Sequence, residues 1–582
     1  ASKGEHDTVD MVNVTIDGRK LQVPKSATVL TAAKASGIKV PSLCYHPELR
    51  PEGACRVCVV EVEGAKSLVA SCVYPVNEGM VVHTNTPAVR EARKMIVELL
   101  LANHPQDCLS CQRSTNCELQ DMAADLGIRK VRFDGVKKNL PLDNNNPALV
   151  RDQNKCILCG RCIKACSDRQ GVDVYSFAKR GFDTTVTPAF DVGLELAPCT
   201  YCGQCASVCP TAAIVEKDDT QAVWDAIGDP TKHVIVQTAP ATRVALGEAL
   251  GMNSGHIVTG KMVSSLRRLG FDKVFDTDFT ADLTILEEGH ELLHRLQTGG
   301  QLPMITSCSP GWVNFIEITY PDLLPHLSTA KSPQQMFGAL AKTYYAEKTG
   351  IDPKNIVSVS IMPCTAKKAE AVRPEFSHNG VQDVDFVLTT RELGRMIKEA
   401  GIDFAAIPAE EYDAPFGIAT GAGVIFGSSG GVMEAALRTV VEVLTGKELE
   451  SIDFKAVRGL AGIKEAALQV GDLTVKVAVA NTLSNARIVM DKIRAGEADY
   501  HFIEIMACPG GCIGGGGQPV PVCEETRLNR IAAIYECDES SQIRKSHENP
   551  AVKELYETWL GKPLGEKSHH LLHTHYKAQV RC

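Results

Sequence analysis

Cysteine dominates the chemistry open to this 582-residue chain, with 22 residues that are bunched rather than scattered. The strongest pattern is a repeat: Cys156-x2-Cys159-x2-Cys162-x3-Cys166 recurs as Cys199-x2-Cys202-x2-Cys205-x3-Cys209-Pro210. That spacing belongs to chains carrying two 4Fe–4S clusters, in which the fourth cysteine of each run ligates the other run's cluster. Cys156, Cys159, Cys162 and Cys209 are expected to hold one cubane, and Cys199, Cys202, Cys205 and Cys166 the second. The first run ends Cys166-Ser167 instead of Cys-Pro, which removes no ligand. Disulfides do not explain such runs, since they belong to small secreted domains and this chain is long.

Two further groups precede the repeat. Cys44-x10-Cys55-x2-Cys58, followed by Cys72, has one close pair flanked by single cysteines. Structural zinc sites use two close pairs, so this spacing suits a 2Fe–2S cluster wrapped by a loop. His104-x3-Cys108-x2-Cys111-x5-Cys117 places a histidine beside three clustered cysteines. A neutral imidazole in place of one thiolate makes a cluster less negative and raises its potential. A zinc site with three cysteines and one histidine is the alternative on spacing alone.

Four C-terminal cysteines occupy special positions: Cys308 in TSCSPGW, Cys364 in MPCTAKK, and Cys508 and Cys512 in MACPGGC, which runs on in glycines to Gly517. Cys364 and Cys508 come at the ends of short β-branched runs, where α/β folds place ligands. The glycines let the backbone approach closely and offer N–H groups to a charged ligand. A phosphate-binding loop would need Lys-Ser/Thr after the glycines, whereas Gln518-Pro519 follows, so a further cubane-type site is expected. Cys523, Cys537 and Cys582 remain and read as incidental thiols.

The elements that must position these groups change character along the chain. Met11–Ile16, an Asp17-Gly18 turn and Lys20–Val23 read as a hairpin, and Thr28–Ala35 and residues 88–102 as helices. Residues 137–149, rich in Asn and Pro, read as a linker. Beyond about residue 225, short strands (Val234–Thr238, Ile356–Met362, Asp385–Thr389, Val475–Ala480, Phe502–Met506) alternate with helical patterns, which is α/β layering. Hydrophobic residues make up 44% and charged residues 23%, so real cores are affordable across several domains. A net charge of −9 argues against a nucleic-acid partner. No apolar run long enough to span a bilayer occurs, and the first residues lack a secretion signal, so a cytoplasmic location is expected.

The three motifs TSCSPGW, MPCTAKK and MACPGGCIGGGGQ together resemble the signature segments of FeFe hydrogenases. The preceding clusters resemble those of the large clostridial type, so the resemblance covers essentially the whole chain. The N-terminal part is also similar to the start of the large iron–sulfur subunit of NADH dehydrogenases. The resemblance implies an α+β multidomain chain. Residues 10–87 would be a β-grasp, plant-type 2Fe–2S ferredoxin-like domain and 88–137 a histidine-ligated 4Fe–4S domain. Residues 138–224 would be a bacterial two-4Fe–4S ferredoxin domain and 225–582 an α/β catalytic domain. It further implies an H-cluster, a 4Fe–4S cubane bridged by a cysteine to a two-iron unit carrying CO, CN− and azadithiolate. Cys364, Cys508 and Cys512 would then ligate the cubane, with Cys512 as the bridge. Lys367 would hydrogen-bond a cyanide, and Ala239, Pro240, Met362, Phe426 and Met506 would line the pocket.

The sequence departs from the family's usual first motif, which has two adjacent cysteines, a proton relay followed by a cubane ligand. Here Cys308 is followed by Ser309. Donor softness favours a shifted loop in which Cys308 ligates the cubane and the relay ends in Ser309, whereas register favours Cys308 as relay and Ser309 as an oxygen ligand; the first is the reading preferred from sequence. The rest of the implied proton path is Glu288, Ser328 and Glu291, with Arg295 outermost. Electrons would come from ferredoxin, from an NAD(P)H-linked flavoprotein subunit, or from both. No G-x-G-x-x-G segment occurs, which assigns nicotinamide chemistry to a partner. Two other readings compete: a non-catalytic H2 sensor of the same family, and an electron-wire subunit of a dehydrogenase complex. The tail HHLLHTH (569–575) reads as an amphipathic helix or partner contact rather than a metal site.

Overall fold

The structure, a computed structural model, describes residues 10–378, 380–449, 451–470 and 473–581, so Cys582 lies outside the described residues. The hairpin pairs Met11–Ile16 with Arg19–Pro24. Asp17 and Gly18 both adopt positive φ (48° and 80°), the backbone that matches a two-residue turn to strand twist. Met80–His83 lies parallel to Met11–Ile16 and completes a five-stranded sheet with Val59–Val62 and Val69–Ala70. The helix Val29–Ala35, capped by Thr28, closes that core through Val29, Leu30, Ala32 and Ala33. Pro87–Asn103 starts from the Thr86 cap with proline in the first turn, where the missing N–H costs nothing. Its Val97 packs with Leu43, Val57, Leu119 and Met122.

The cysteine repeat folds as a structural repeat. Leu149–Arg151 and Ile214–Glu216 pair antiparallel beside it. Leu158 and Tyr201, at the same place in each run, take positive φ (55° and 58°), as do Gly160 and Gly203. A bulky residue held there is strained, and the strain is repaid by N–H groups aimed at sulfur: Leu158 N donates to Cys156 Sγ and Tyr201 N to Cys199 Sγ, both at 3.4 Å.

The C-terminal part contains two four-stranded sheets. In one, Lys273–Asp276, His233–Thr238, Ile356–Met362 and Phe386–Thr389 are all parallel. In the other, Met304–Ile305, Phe502–Met506 and Leu473–Asn481 are parallel and Ile463–Val470 is antiparallel at the edge. Ile356–Met362 and Phe502–Met506 are buried throughout, as expected of strands covered on both faces. Their carboxyl ends run directly into Pro363-Cys364 and Ala507-Cys508, so each sheet delivers a cysteine at its ligand-binding end. Sequence expectations for these strands hold to within two residues. Among the described residues no helix is long and apolar enough to cross a membrane.

One buried ion cluster fastens the helices behind the cavity. Arg438, on Gly431–Thr445, donates to both oxygens of Asp538 on Glu524–Ser540, each at 2.8 Å, and to Glu434 at 2.8 Å. Removing one partner of such a pair leaves buried charge uncompensated. Arg438→Met is expected to cost about 3 kcal/mol or more, read as a lowered denaturation midpoint.

Candidate active site

A cavity with about 740 Å³ of atom-free space opens where the two sheets point. Cys308, Cys364, Cys508 and Cys512 all line it, with Ala239, Met362, Phe426 and Met506 as apolar walls. Pro240 is buried but does not line the cavity; it starts the turn that sets Ala239 in place. The glycine run serves packing more than ligand contact. A Cβ on Gly515 would sit 2.1 Å from Pro363 O, and one on Gly516 would sit 2.4 Å from Cys202 O. Only glycine lets the third motif touch both the second motif and the ferredoxin-like loop.

The polar groups on this wall are few and placed. Lys367 Nζ donates to Glu370 Oε2 (2.8 Å) and Cys308 O (3.2 Å), which leaves one ammonium hydrogen free. Glu370 is fixed in turn by Ser332 Oγ and Gln334 Nε2, both at 3.0 Å. Gln334 Oε1 is buried without a partner and belongs to the cavity wall. Buried, unpaired polar atoms and a cation beside several thiols fit an anionic, thiolate-held group. Ser309 Oγ accepts the N–H of Ala507, next to Cys508, at 3.3 Å.

From Cys308 a chain of side chains leads outward. Glu288 is buried on the 22-residue helix Thr277–Thr298, and burial, reinforced by Glu291, pushes its carboxyl up to about 8. Ser328 and the Ser307 N–H pull weakly the other way. Ser328 Oγ donates to Glu291 Oε2 (2.9 Å), and Arg295 Nη2 donates to Glu291 Oε1 (2.7 Å). Arg295 is half-buried and also binds Leu327 O at 2.7 Å. Glu288 must be protonated to give a proton inward, and that form is lost as pH rises through about 8. Any proton delivery through Glu288 is therefore expected to be sustained below that pH and to fall above it; a pH profile of turnover flat through this range would remove Glu288 as donor.

The accessory groups are gathered as well. Cys156, Cys159, Cys162 and Cys209 line one cavity, and Cys166, Cys199, Cys202 and Cys205 line another, so each run's fourth cysteine lies with the first three of the other run. Cys202 lines both the second of these and the large cavity. The thiols of Cys44, Cys55, Cys58 and Cys72 sit in mutual hydrogen-bonding contact, with Leu43 N donating to Cys55 Sγ. His104 Nδ1 lies 2.6 Å from Pro105 O, while its buried Nε2 has no partner. That arrangement fixes the tautomer and leaves Nε2 as a ligand lone pair. Cys108 is exposed and Cys111 and Cys117 half-buried, at the surface end of this group. Cys523 and Cys537 stay outside every cavity described.

Sequence reasoning missed Gln334, Glu370, Thr329 and His573. Gln334 and Glu370 earn their places only through tertiary contact, although Glu370, three residues beyond Lys367 on a helix, was open to an i,i+3 reading. The tail does form a helix, Glu566–Leu572, with Ser568, Leu571 and Leu572 buried.

A thiol-lined cavity beside a line of buried carboxylates and abutting ferredoxin-like loops fits an iron–sulfur oxidoreductase. The family description "Iron only hydrogenase large subunit, C-terminal domain" matches residues 232–516, and "Iron hydrogenase small subunit" matches 524–579. A 2Fe–2S binding domain matches 9–87, the NADH-ubiquinone oxidoreductase-G iron–sulfur region 93–132, and a 4Fe–4S dicluster domain 155–213. The NADP-reducing hydrogenase subunit HndD of Solidesulfovibrio fructosivorans is 52% identical over 98% of this chain and 100% of its own length. Iron hydrogenase 1 of Clostridium pasteurianum is 42% identical over 97% of this chain and 100% of its own. A solved FeFe hydrogenase of Chlamydomonas reinhardtii superposes with a TM-score of 0.57 at 48% identity, covering 62% of this chain and 99% of that one. The chain belongs to the FeFe hydrogenases, oxidoreductases acting on H2, and carries accessory 2Fe–2S and 4Fe–4S domains.

Proposed function

We propose that the large cavity holds an H-cluster, with Cys364, Cys508 and Cys512 on the cubane and Cys512 bridging to the two-iron unit. That unit supplies, when bound, the centre at which the H–H bond is made or broken. The surrounding residues do the rest. Lys367 offers its free hydrogen to an anionic ligand, held in position by Glu370. Met362, Met506, Phe426 and Ala239 exclude water, with Pro240 supporting Ala239 from behind. Cys308 acts as the inner proton carrier, and Ser309 faces the cubane. Two observations support this over the ligand role that donor softness favours: burial and the neighbouring Glu288 push the Cys308 thiol up, and Ser309 Oγ lies against the N–H preceding Cys508. Protons pass between Glu291, Ser328, Glu288 and Cys308 in either direction, with the permanently charged Arg295 orienting Glu291 at the outer end.

One 2Fe–2S and three accessory 4Fe–4S clusters would supply the electron route, one of them held by His104, Cys108, Cys111 and Cys117. The units proposed to hold them are residues 10–87, 88–137 and 138–224, ahead of the catalytic unit 225–582. The observation that carries this reading is Cys202, which lines both a ferredoxin-like cavity and the large one and so joins electron supply to proton supply. The outer partner is ferredoxin or a flavin-bearing, NAD(P)-binding subunit of a cytoplasmic hydrogenase complex. Similarity to a protein named as an NADP-reducing hydrogenase subunit favours the second, and the missing dinucleotide motif puts nicotinamide chemistry on that partner. Infrared spectra of the matured chain should show CO and CN− bands. H2-dependent reduction of ferredoxin and of NAD(P)+, with and without co-purifying subunits, then identifies the acceptor. Absence of the bands after maturation would overturn the H-cluster assignment.

A further inference from the structure

The proton path has a side branch. Glu291 Oε2 accepts from Thr329 Oγ1 at 3.2 Å as well as from Ser328. Thr329 Oγ1 stands 2.8 Å from His573 Nδ1, and His573 Nε2 stands 3.0 Å from Glu287 Oε2. Tyr556 OH donates to Glu287 Oε1 at 2.5 Å, and Leu564 N to Glu287 Oε2 at 2.9 Å. Glu287 and His573 are both buried. Their geometry is locked, because Lys331 N binds Leu572 O and Thr574 N binds Thr329 O, each at 2.8 Å, zipping the C-terminal segment to the loop that carries Ser328 and Thr329.

Counting hydrogens fixes what this string can do. The Thr329 hydroxyl has one proton, which the Glu291 carboxylate takes, so its oxygen must accept from His573 Nδ1. Tyr556 and Leu564 already donate to Glu287. One more proton has to lie between His573 Nε2 and Glu287 Oε2, since two bare lone pairs at that separation repel. Imidazolium with carboxylate and imidazole with carboxylic acid hold the same proton count.

We propose that Glu287 and His573 form a buried proton-storage pair that exchanges with Glu291 through the Thr329 hydroxyl. This rests on the relay reading above and deepens it. In the inward step, His573 Nδ1 gives its proton to Thr329 Oγ1 while Thr329 gives its own to Glu291 Oε2. The proton shared with Glu287 settles on His573 Nε2. Glu291 gains one proton, the pair loses one, and no electron moves. The pair refills by the reverse shift when Glu291 is loaded from the Arg295 end. Forming H2 consumes two protons, and the store keeps the second one next to the path. The other titratable groups around the pair are Tyr556, Glu291 with Arg295 behind it, and His569 with His575. The His569 ring stacks on His573 at 4.8 Å and is held toward its neutral form by partial burial, His573 and His575.

The test uses the full, matured chain, with cofactor loading counted from the CO and CN− bands, and follows H2 evolution across pH for His573→Gln, Glu287→Gln, Thr329→Val and Glu291→Gln. The first three are expected to share one signature, a loss that deepens as protons become scarce and reaches about tenfold at the alkaline end. Glu291→Gln should lose turnover at every pH. Equal losses at all pH values in the first three variants would mean a merely structural role and overturn the storage pair, as would a Thr329→Val profile like wild type. If His573→Gln fails to fold, Glu287→Gln, which keeps the side chain's shape and one acceptor oxygen for Tyr556 or Leu564, decides. Unimpaired Glu291→Gln would instead overturn the relay itself, so the two failures are distinguishable.

Discussion

Glu288→Gln is expected to lower H2 turnover by about 10²-fold or more, with iron content and CO and CN− bands unchanged. Glutamine keeps the shape and one hydrogen-bond acceptor of glutamate but cannot release or take up a proton at working pH. Neither oxygen of Glu288 has a well-formed hydrogen bond to give up, so little structure is lost. The position also offers no bypass within the described path, since Ser328 and Glu291 lie on its outer side and Cys308 on its inner side. The burial that holds Glu288 protonated near neutral pH makes it a donor. A variant turning over at wild-type rate, with full loading, would place the proton path elsewhere.

Cys308→Ala separates the two readings of the first motif. If Cys308 carries protons, turnover falls by about 10²-fold or more and the infrared bands survive. If Cys308 ligates the cubane, the bands and the cubane's iron disappear together. The first outcome is expected. The companion variant Ser309→Cys would place a thiolate where, on the proposed reading, an oxygen faces the cubane, and should alter its paramagnetic signature without moving the rate of the proton steps. Thiolate is the softer, better-matched donor for such a cluster, so the native serine makes this site unlike its usual counterpart.

The part of the molecule legible in its sequence was the part written in local spacing. The hairpin at Asp17-Gly18 and the buried strands Ile356–Met362 and Phe502–Met506 are patterns of a few residues, and the structure has them as read, while the two cysteine runs gather into two cavities. The gathering of Cys308, Cys364 and Cys508 followed from two strand ends and a resemblance. Contacts between distant segments were not legible. Nothing near Gln334 in sequence says that it will lack a partner for Oε1, because Lys367 and Glu370, which orient it, lie more than thirty residues away. His573 stood in a histidine-rich tail that composition describes as amphipathic, and only the backbone pairing of Leu572 and Thr574 with the loop at 329–331 turns it inward.

Arg161 has a mechanical consequence for electron delivery. Its guanidinium grips Glu118 through both oxygens (2.6 and 2.9 Å) and the carbonyl of Tyr45 (2.8 Å), while its own backbone lies inside the first cysteine run. One buried cation thus pins three cluster-bearing segments to each other with bidentate, directional bonds. A swinging domain that shuttles between docking positions would have to break all of these at once. The N-terminal assembly should therefore conduct as a fixed wire, its internal electron steps insensitive to solvent viscosity, and any conformational gating would have to reside in how a partner arrives.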